Sequence, residues 1–203
     1  MLMNYFILII FSYILGSIPF AYIIARFVKG IDIREVGSMN PGAANVFREV
    51  SPFWGITTFI LDFSKGFLPP FLASFFGFLP IIIILSGIFS VAGHNWSMFL
   101  GLKGGGGLST SLGAAFAILP LQSIIVAVIF LTLFFFGKIR KRGILKGLTP
   151  LVGAGVVSYF LAFVVLMIFR ENLYTYLFLI FLLMVQGIRH FKNIVKWLRE
   201  RKI

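Results

Sequence analysis

Apolar runs of about 15–25 residues, divided by short segments that hold most of the charge, limit what this chain can become. A run of that length crosses a hydrocarbon core of about 30 Å as a helix, which satisfies its own backbone N–H and C=O groups without water. Residues Asp, Glu, Lys and Arg make up only 12% of the sequence and hydrophobic residues 60%, whereas a soluble domain carries about a quarter charged residues. The expected fold is all-α: a polytopic integral membrane protein in which residues 1–203 form one domain. The opening stretch, MLMNYFILIIFSYILGSIPFAYIIAR, has no basic leader and an apolar run too long for a signal peptide. It reads as a retained first helix.

The positive charge sorts the loops. Arg26, Lys29, Arg34 and Arg48 fall in 26–51, Lys103 in 93–107, a dense basic run in 138–146, and another from Arg189 onward. If all four segments face the cytoplasm, an even number of crossings joins each pair. Residues 53–92, with prolines at 69, 70 and 80, then read as two crossings. Residues 108–136, interrupted at Pro120, read as two short or tilted ones, and 147–169 and 172–188 complete the set. The expectation is about seven crossings, with the N-terminus outside and the C-terminus cytoplasmic.

The net charge of +12 fits cytoplasmic loops meeting anionic membrane lipid, so nucleic acid is not an expected partner. The absence of cysteine excludes thiol catalysis, thiolate metal sites and disulfides. Two histidines and six carboxylates make a dedicated metal site unexpected.

Four places can carry chemistry. In GSMNPGAANVFRE, Asn40 and Pro41 read as a helix cap and first helical residue, leaving Ser38, Asn40 and backbone N–H groups at an anion-binding helix start. Arg48, seven residues after Pro41, returns to that face and can fork onto phosphate. An interfacial helix with Arg48 on lipid headgroups is an equally open reading. In TTFILDFSKGF, Asp62 and Lys65 are three residues apart on one helical face, with Thr58 extending the stripe. Charges in an apolar run pair and face inward, either as a packing device or as support for a site. In GHNWSMFLGLKGGGGLSTS, His94, Asn95 and Lys103 accompany glycines 104–107, whose N–H groups can converge on an anion, ahead of Ser109, Thr110 and Ser111. The lysine precedes the glycines, so this is not a P-loop; a plain flexible turn is the alternative. Finally, Gln186, His190, Asn193 and Trp197 share one helical stripe beside the basic stripe Arg189, Lys192, Lys196 and Arg199. Neither histidine has an acid five residues later, and no serine triad is evident. A reaction here must use a substrate that is already activated.

GSIPFAYIIAR, GSMNPGAANVFR, DFSKG, GHNW…LKGG and IRHFKNI occur in the order found in the bacterial acyl-phosphate:glycerol-3-phosphate acyltransferases, which this chain resembles over nearly its whole length. The resemblance implies seven crossings and transfer of an acyl group from acyl phosphate to the 1-hydroxyl of sn-glycerol 3-phosphate, giving 1-acylglycerol 3-phosphate and phosphate without a cofactor. It further implies a monomer in the bacterial cytoplasmic (inner) membrane, its active site facing the cytoplasm. Carried over by motif, Ser38, Asn40 and Arg48 form one wall of a phosphate site, His94, Lys103, Gly104 and Gly105 a second, and His190 and Asn193 close it. Ser38, Arg48, Lys103, His190 and Asn193 are the implied catalytic set, with Asp62 and Lys65 in support. One departure matters: the family usually has a second lysine where this chain has Gly106. Two other readings remain: a non-catalytic relative that binds a phosphorylated lipid precursor, and a small anion transporter, which the lack of an inverted repeat disfavours.

Overall fold

The computed structural model describes residues 2–128 and 172–200, with side chains as far as residue 191. Its described regular elements are all helical. They belong to two compact units, residues 1–118 and 119–203.

The first unit contains α1 (Leu2–Ser17), α2 (Phe20–Lys29), α3 (Ala43–Glu49), α4 (Pro52–Phe75), α5 (Pro80–Asn95), a 3₁₀ turn at Met98–Leu100, and α6 (Leu108–Ile118). The single first helix expected from the sequence is instead broken between α1 and α2. The cause is Pro19, which has no N–H to donate and disfavours the helical conformation at Ile18. Two carbonyls at the break find side-chain donors. Ser97 Oγ donates to Ser17 O at 2.5 Å, and Lys65 Nζ donates to Ile18 O at 2.7 Å. The two helices expected between residues 53 and 92 are present. Their turn lies at 76–79, because α4 continues through Pro69 and Pro70 and α5 begins on Pro80.

Close helix approach depends on small residues. A Cβ on Gly66 of α4 would strike the carbonyl of Thr110 on α6, and one on Gly113 of α6 would strike that of Phe63 on α4. Phe63 and Phe67 close the same seam against Phe116, with ring centroids 5.9 and 6.2 Å away. Gly66→Ala is therefore expected to force the helices apart, at about 1–3 kcal/mol for overpacking. A lowered unfolding midpoint of the detergent-purified variant would show it; an unchanged midpoint would mean that the seam yields freely.

In the second unit, α6 having ended at Ile118, a new helix (α7) begins at Pro120 and is described to residue 128. The interruption expected at Pro120 is thus present. The expected basic loop at 138–146 and crossing at 147–169 lie outside the described residues. The last helix, α8 (Leu173–Glu200), is capped by Asn172, whose Oδ1 accepts from Thr175 N at 3.2 Å. It runs well past residue 188, where the crossing was expected to end.

The protein is an integral membrane protein by length and apolarity. Leu2–Lys29, Pro80–Leu100 and Leu173–Phe191 are each long and apolar enough to cross a bilayer. Large apolar side chains such as Leu2, Phe6 and Ile10 project outward from α1, where lipid rather than water would cover them.

Candidate active site

The loop between α2 and α4 is braced from within. Arg34 forks onto Asp32, Nε to Oδ1 at 3.0 Å and Nη2 to Oδ2 at 2.7 Å. These bonds hold the Asp32 carboxyl down from its usual value to about 2. The Arg34 guanidinium also lies over the Tyr22 ring, 4.9 Å from its centroid. Buried Asn45 donates through Nδ2 to Ile33 O and Val36 O, each at 3.0 Å, and accepts from Ser38 N through Oδ1, also at 3.0 Å. Sequence reasoning overlooked this residue. An asparagine set among apolar neighbours on a short helix was the available signal.

That bracing places Ser38 beside Arg48, whose Nη2 donates to Ser38 Oγ at 3.2 Å. Both residues are exposed, and Arg48 returns to the face of Ser38 as its spacing leads one to expect. The expected helix start is not. The cap is Gly42, with no side-chain hydrogen bond, and the helix begins at Ala43. Met39 adopts φ +55°, and Gly42 N bonds to Asn40 O at 2.9 Å. Asn40 and buried Pro41 are therefore used up in the turn that precedes the helix.

Beneath this loop lies a buried charge cluster. Asp62 and Lys65 pair at 2.8 Å with each side chain 2% exposed, as their spacing predicts. Lys65 Nζ, already bonded to Ile18 O, also sits 5.4 Å from the Phe20 ring centroid. His94, at the end of α5, turns inward rather than toward solvent, with Nδ1 3.6 Å from Asp62 Oδ1. Local spacing does not predict this approach, since the two residues are on different helices. The cavity bounded by Asp62, Lys65, His94, Ser17, Ser97 and Pro41 measures about 10 Å³, roughly the room for one water. Ser38, Arg48 and Lys103 are exposed, outside this cavity.

The glycine run also works differently from expectation. Gly104 N donates to Asn95 O at 3.2 Å and Gly105 N to His94 O at 3.0 Å. These two amides satisfy carbonyls that the end of α5 leaves open. The missing side chains matter more. A Cβ on Gly104 would strike the His94 carbonyl, and one on Gly105 would strike His94 Nε2 and the Pro41 carbonyl. The run lets the loop lie directly on α5 and on the first loop, and it leaves Lys103 exposed at its head.

Known proteins share this architecture. A family model described as glycerol-3-phosphate acyltransferase matches residues 6–200. The glycerol-3-phosphate acyltransferase of Aquifex aeolicus is 43% identical over 128 residues, which are 63% of this chain and 66% of that protein. The one from Thermotoga petrophila is 32% identical over 203 residues, covering 99% of this chain and 97% of its own. The crystal structure of PlsY (YgiH), an integral membrane glycerol 3-phosphate acyltransferase, in its glycerol 3-phosphate form, superposes with a TM-score of 0.83 at 32% identity, covering 98% of this chain and 94% of that one. Its lysophosphatidic acid form gives 0.82. The chain belongs to the glycerol-3-phosphate acyltransferase family.

For this acyltransferase family member, Ser38, Asn40, Arg48, His94, Lys103, Gly104 and Gly105 all lie in the first unit. His190, half-buried, and Asn193 lie three residues apart on one face of α8 in the second. What the first unit presents outward is a guanidinium with a hydroxyl partner and a primary ammonium. That combination suits a phosphate monoester: Arg supplies a planar fork and Lys a point charge.

Proposed function

We propose that this chain transfers the acyl group of an acyl phosphate to the 1-hydroxyl of sn-glycerol 3-phosphate, the first acylation of phospholipid synthesis. The observation that carries the reading is the match to PlsY in its glycerol 3-phosphate form, which extends over 98% of this chain. The hydroxyl oxygen bonds to the acyl carbon as the bond from that carbon to the phosphate oxygen breaks, and the hydroxyl proton leaves with inorganic phosphate. The mixed anhydride is activated already, so the protein's part is positioning and charge stabilisation. Ser38 and Arg48, with Asn40 in the same loop, and Lys103 hold phosphate oxygens, and the family resemblance assigns catalytic roles to His190 and Asn193 as well. The enzyme acts as a monomer with seven crossings in the bacterial inner membrane, its N-terminus outside and its site and C-terminus on the cytoplasmic side.

Gly106 favours a second reading, a non-catalytic relative that only binds a phosphorylated lipid precursor, because the resemblance leads one to expect lysine there. Gly106 is not among the glycines with positive φ, so its backbone admits a lysine. The purified protein is expected to release phosphate from palmitoyl phosphate when glycerol 3-phosphate is present. Gly106→Lys should change that rate by no more than about tenfold, ~1.4 kcal/mol. Silence from both forms, with glycerol 3-phosphate still bound, would reject the enzyme in favour of the binding protein. Turnover by the lysine variant alone would identify a degenerate enzyme.

A further inference from the structure

The proposed site needs two loops from different parts of the chain to face one phosphate: the loop with Ser38 and Arg48, and the loop with Lys103. Their separation has a physical gauge. His94 is 6% exposed at the end of α5. On one side its Nδ1 faces Asp62 Oδ1 at 3.6 Å, and Asp62 is held by Lys65 at 2.8 Å. Lys65 is fixed in turn by the Ile18 carbonyl at the α1–α2 break, 2.7 Å away. On its other side His94 Nε2 occupies the space where Gly105 would carry a Cβ, and the Pro41 carbonyl borders that same point from the first loop. The His94 carbonyl also receives the Gly105 N–H at 3.0 Å. One residue therefore touches the second loop through both its backbone and its ring, and shares a small cavity with Pro41 of the first loop.

We propose that His94 is a positioning residue, an imidazole spacer that sets the distance between the two phosphate-binding loops, with the buried Asp62–Lys65 pair as its anchor. It acts on glycerol 3-phosphate binding without touching the substrate. This deepens the proposed function and rests on it for its catalytic consequence. The spacing itself is a property of the fold.

The two can be tested apart. The chain contains no cysteine, so Phe47→Cys and Phe99→Cys, at side chains 46% and 54% exposed, give one clean pair of spin-label sites, one on each loop's flank. In this labelled parent, His94→Ala should broaden or shift the label–label distance distribution. In the unlabelled protein it should raise KM for glycerol 3-phosphate about tenfold or more, because a misplacement of about 1 Å is worth up to ~100-fold. The same substitution should change kcat by less than about threefold, as expected for lost ground-state positioning. His94→Gln, a planar group of similar reach, should return both readings close to those of the parent. Parent-like distances in His94→Ala would overturn the spacer. Should that variant not fold, Gly105→Ala crowds the same contact from the opposite side, and an unchanged distance distribution there would overturn it equally. A shifted distribution in a protein that never turns over glycerol 3-phosphate would sustain the spacer and refute the proposed reaction.

Discussion

Arg48→Ala is expected to reduce kcat/KM for glycerol 3-phosphate by about 10-fold to 150-fold, the equivalent of ~1.5–3 kcal/mol for hydrogen bonding to a charged group. The reasoning starts from exposure. Arg48 lies on the outer face of α3 with Ser38 Oγ 3.2 Å from its Nη2, so its removal empties no core and leaves no buried partner unsatisfied. The unfolding midpoint should stay within experimental scatter while turnover collapses. Arg26 and Arg34 do not substitute for it. Arg26 Nη1 donates to Gly30 O at 2.9 Å, and Arg34 is forked onto Asp32. Arg48→Lys supplies the contrast, since it keeps the charge and loses the fork; it should recover part of the rate, mostly through KM. Phosphate release at varied glycerol 3-phosphate reads all three proteins. A rate for Arg48→Ala close to that of the unmodified protein would remove Arg48 from the site and favour its alternative place among lipid headgroups.

The parts of this molecule that follow from local rules were open to sequence reasoning. Hydrophobic run length gives the long helices, Pro120 marks the break after α6, and the three-residue spacing of Asp62 and Lys65 pairs them. Ser38 and Arg48 meet because a short helix starts between them. What escaped depends on which distant carbonyls and rings meet. Pro19 was visible as a helix breaker, yet the run around it is apolar on both sides, so hydropathy reads straight through the break. That two glycine amides bond to the end of α5 is equally hidden, because nothing local shows that its carbonyls need them. The inward turn of His94 is hidden because its partner, Asp62, lies on another helix and its second contact, Gly105, has no side chain to betray it. Asn40 looked like a cap because Asn-Pro is a helix-start signal; the left-handed turn at Met39 moves the start to Ala43.

The largest stability effect is expected at Asp62. In Asp62→Ala the Lys65 ammonium stays buried, with the Ile18 carbonyl at 2.7 Å and the Phe20 ring beside it but no counter-charge. Breaking a buried pair from one side costs about 3–5 kcal/mol. For a chain of this length, that lowers the unfolding midpoint by about 6–20 °C. Lys65 has little means of relief, because the side chain is 2% exposed and its Nζ is the donor that satisfies the broken first helix. The informative comparison is the double variant Asp62→Leu with Lys65→Met. Removing both charges eliminates the desolvation cost along with the attraction, so it should regain much of the lost stability. The Ile18 carbonyl then loses its ammonium donor, and about 1–3 kcal/mol should remain unrecovered for that group. Thermal unfolding of the three proteins in one detergent separates these contributions. A double variant as unstable as Asp62→Ala would show that the loss comes from packing at residue 62, leaving the ion pair without the structural weight assigned to it.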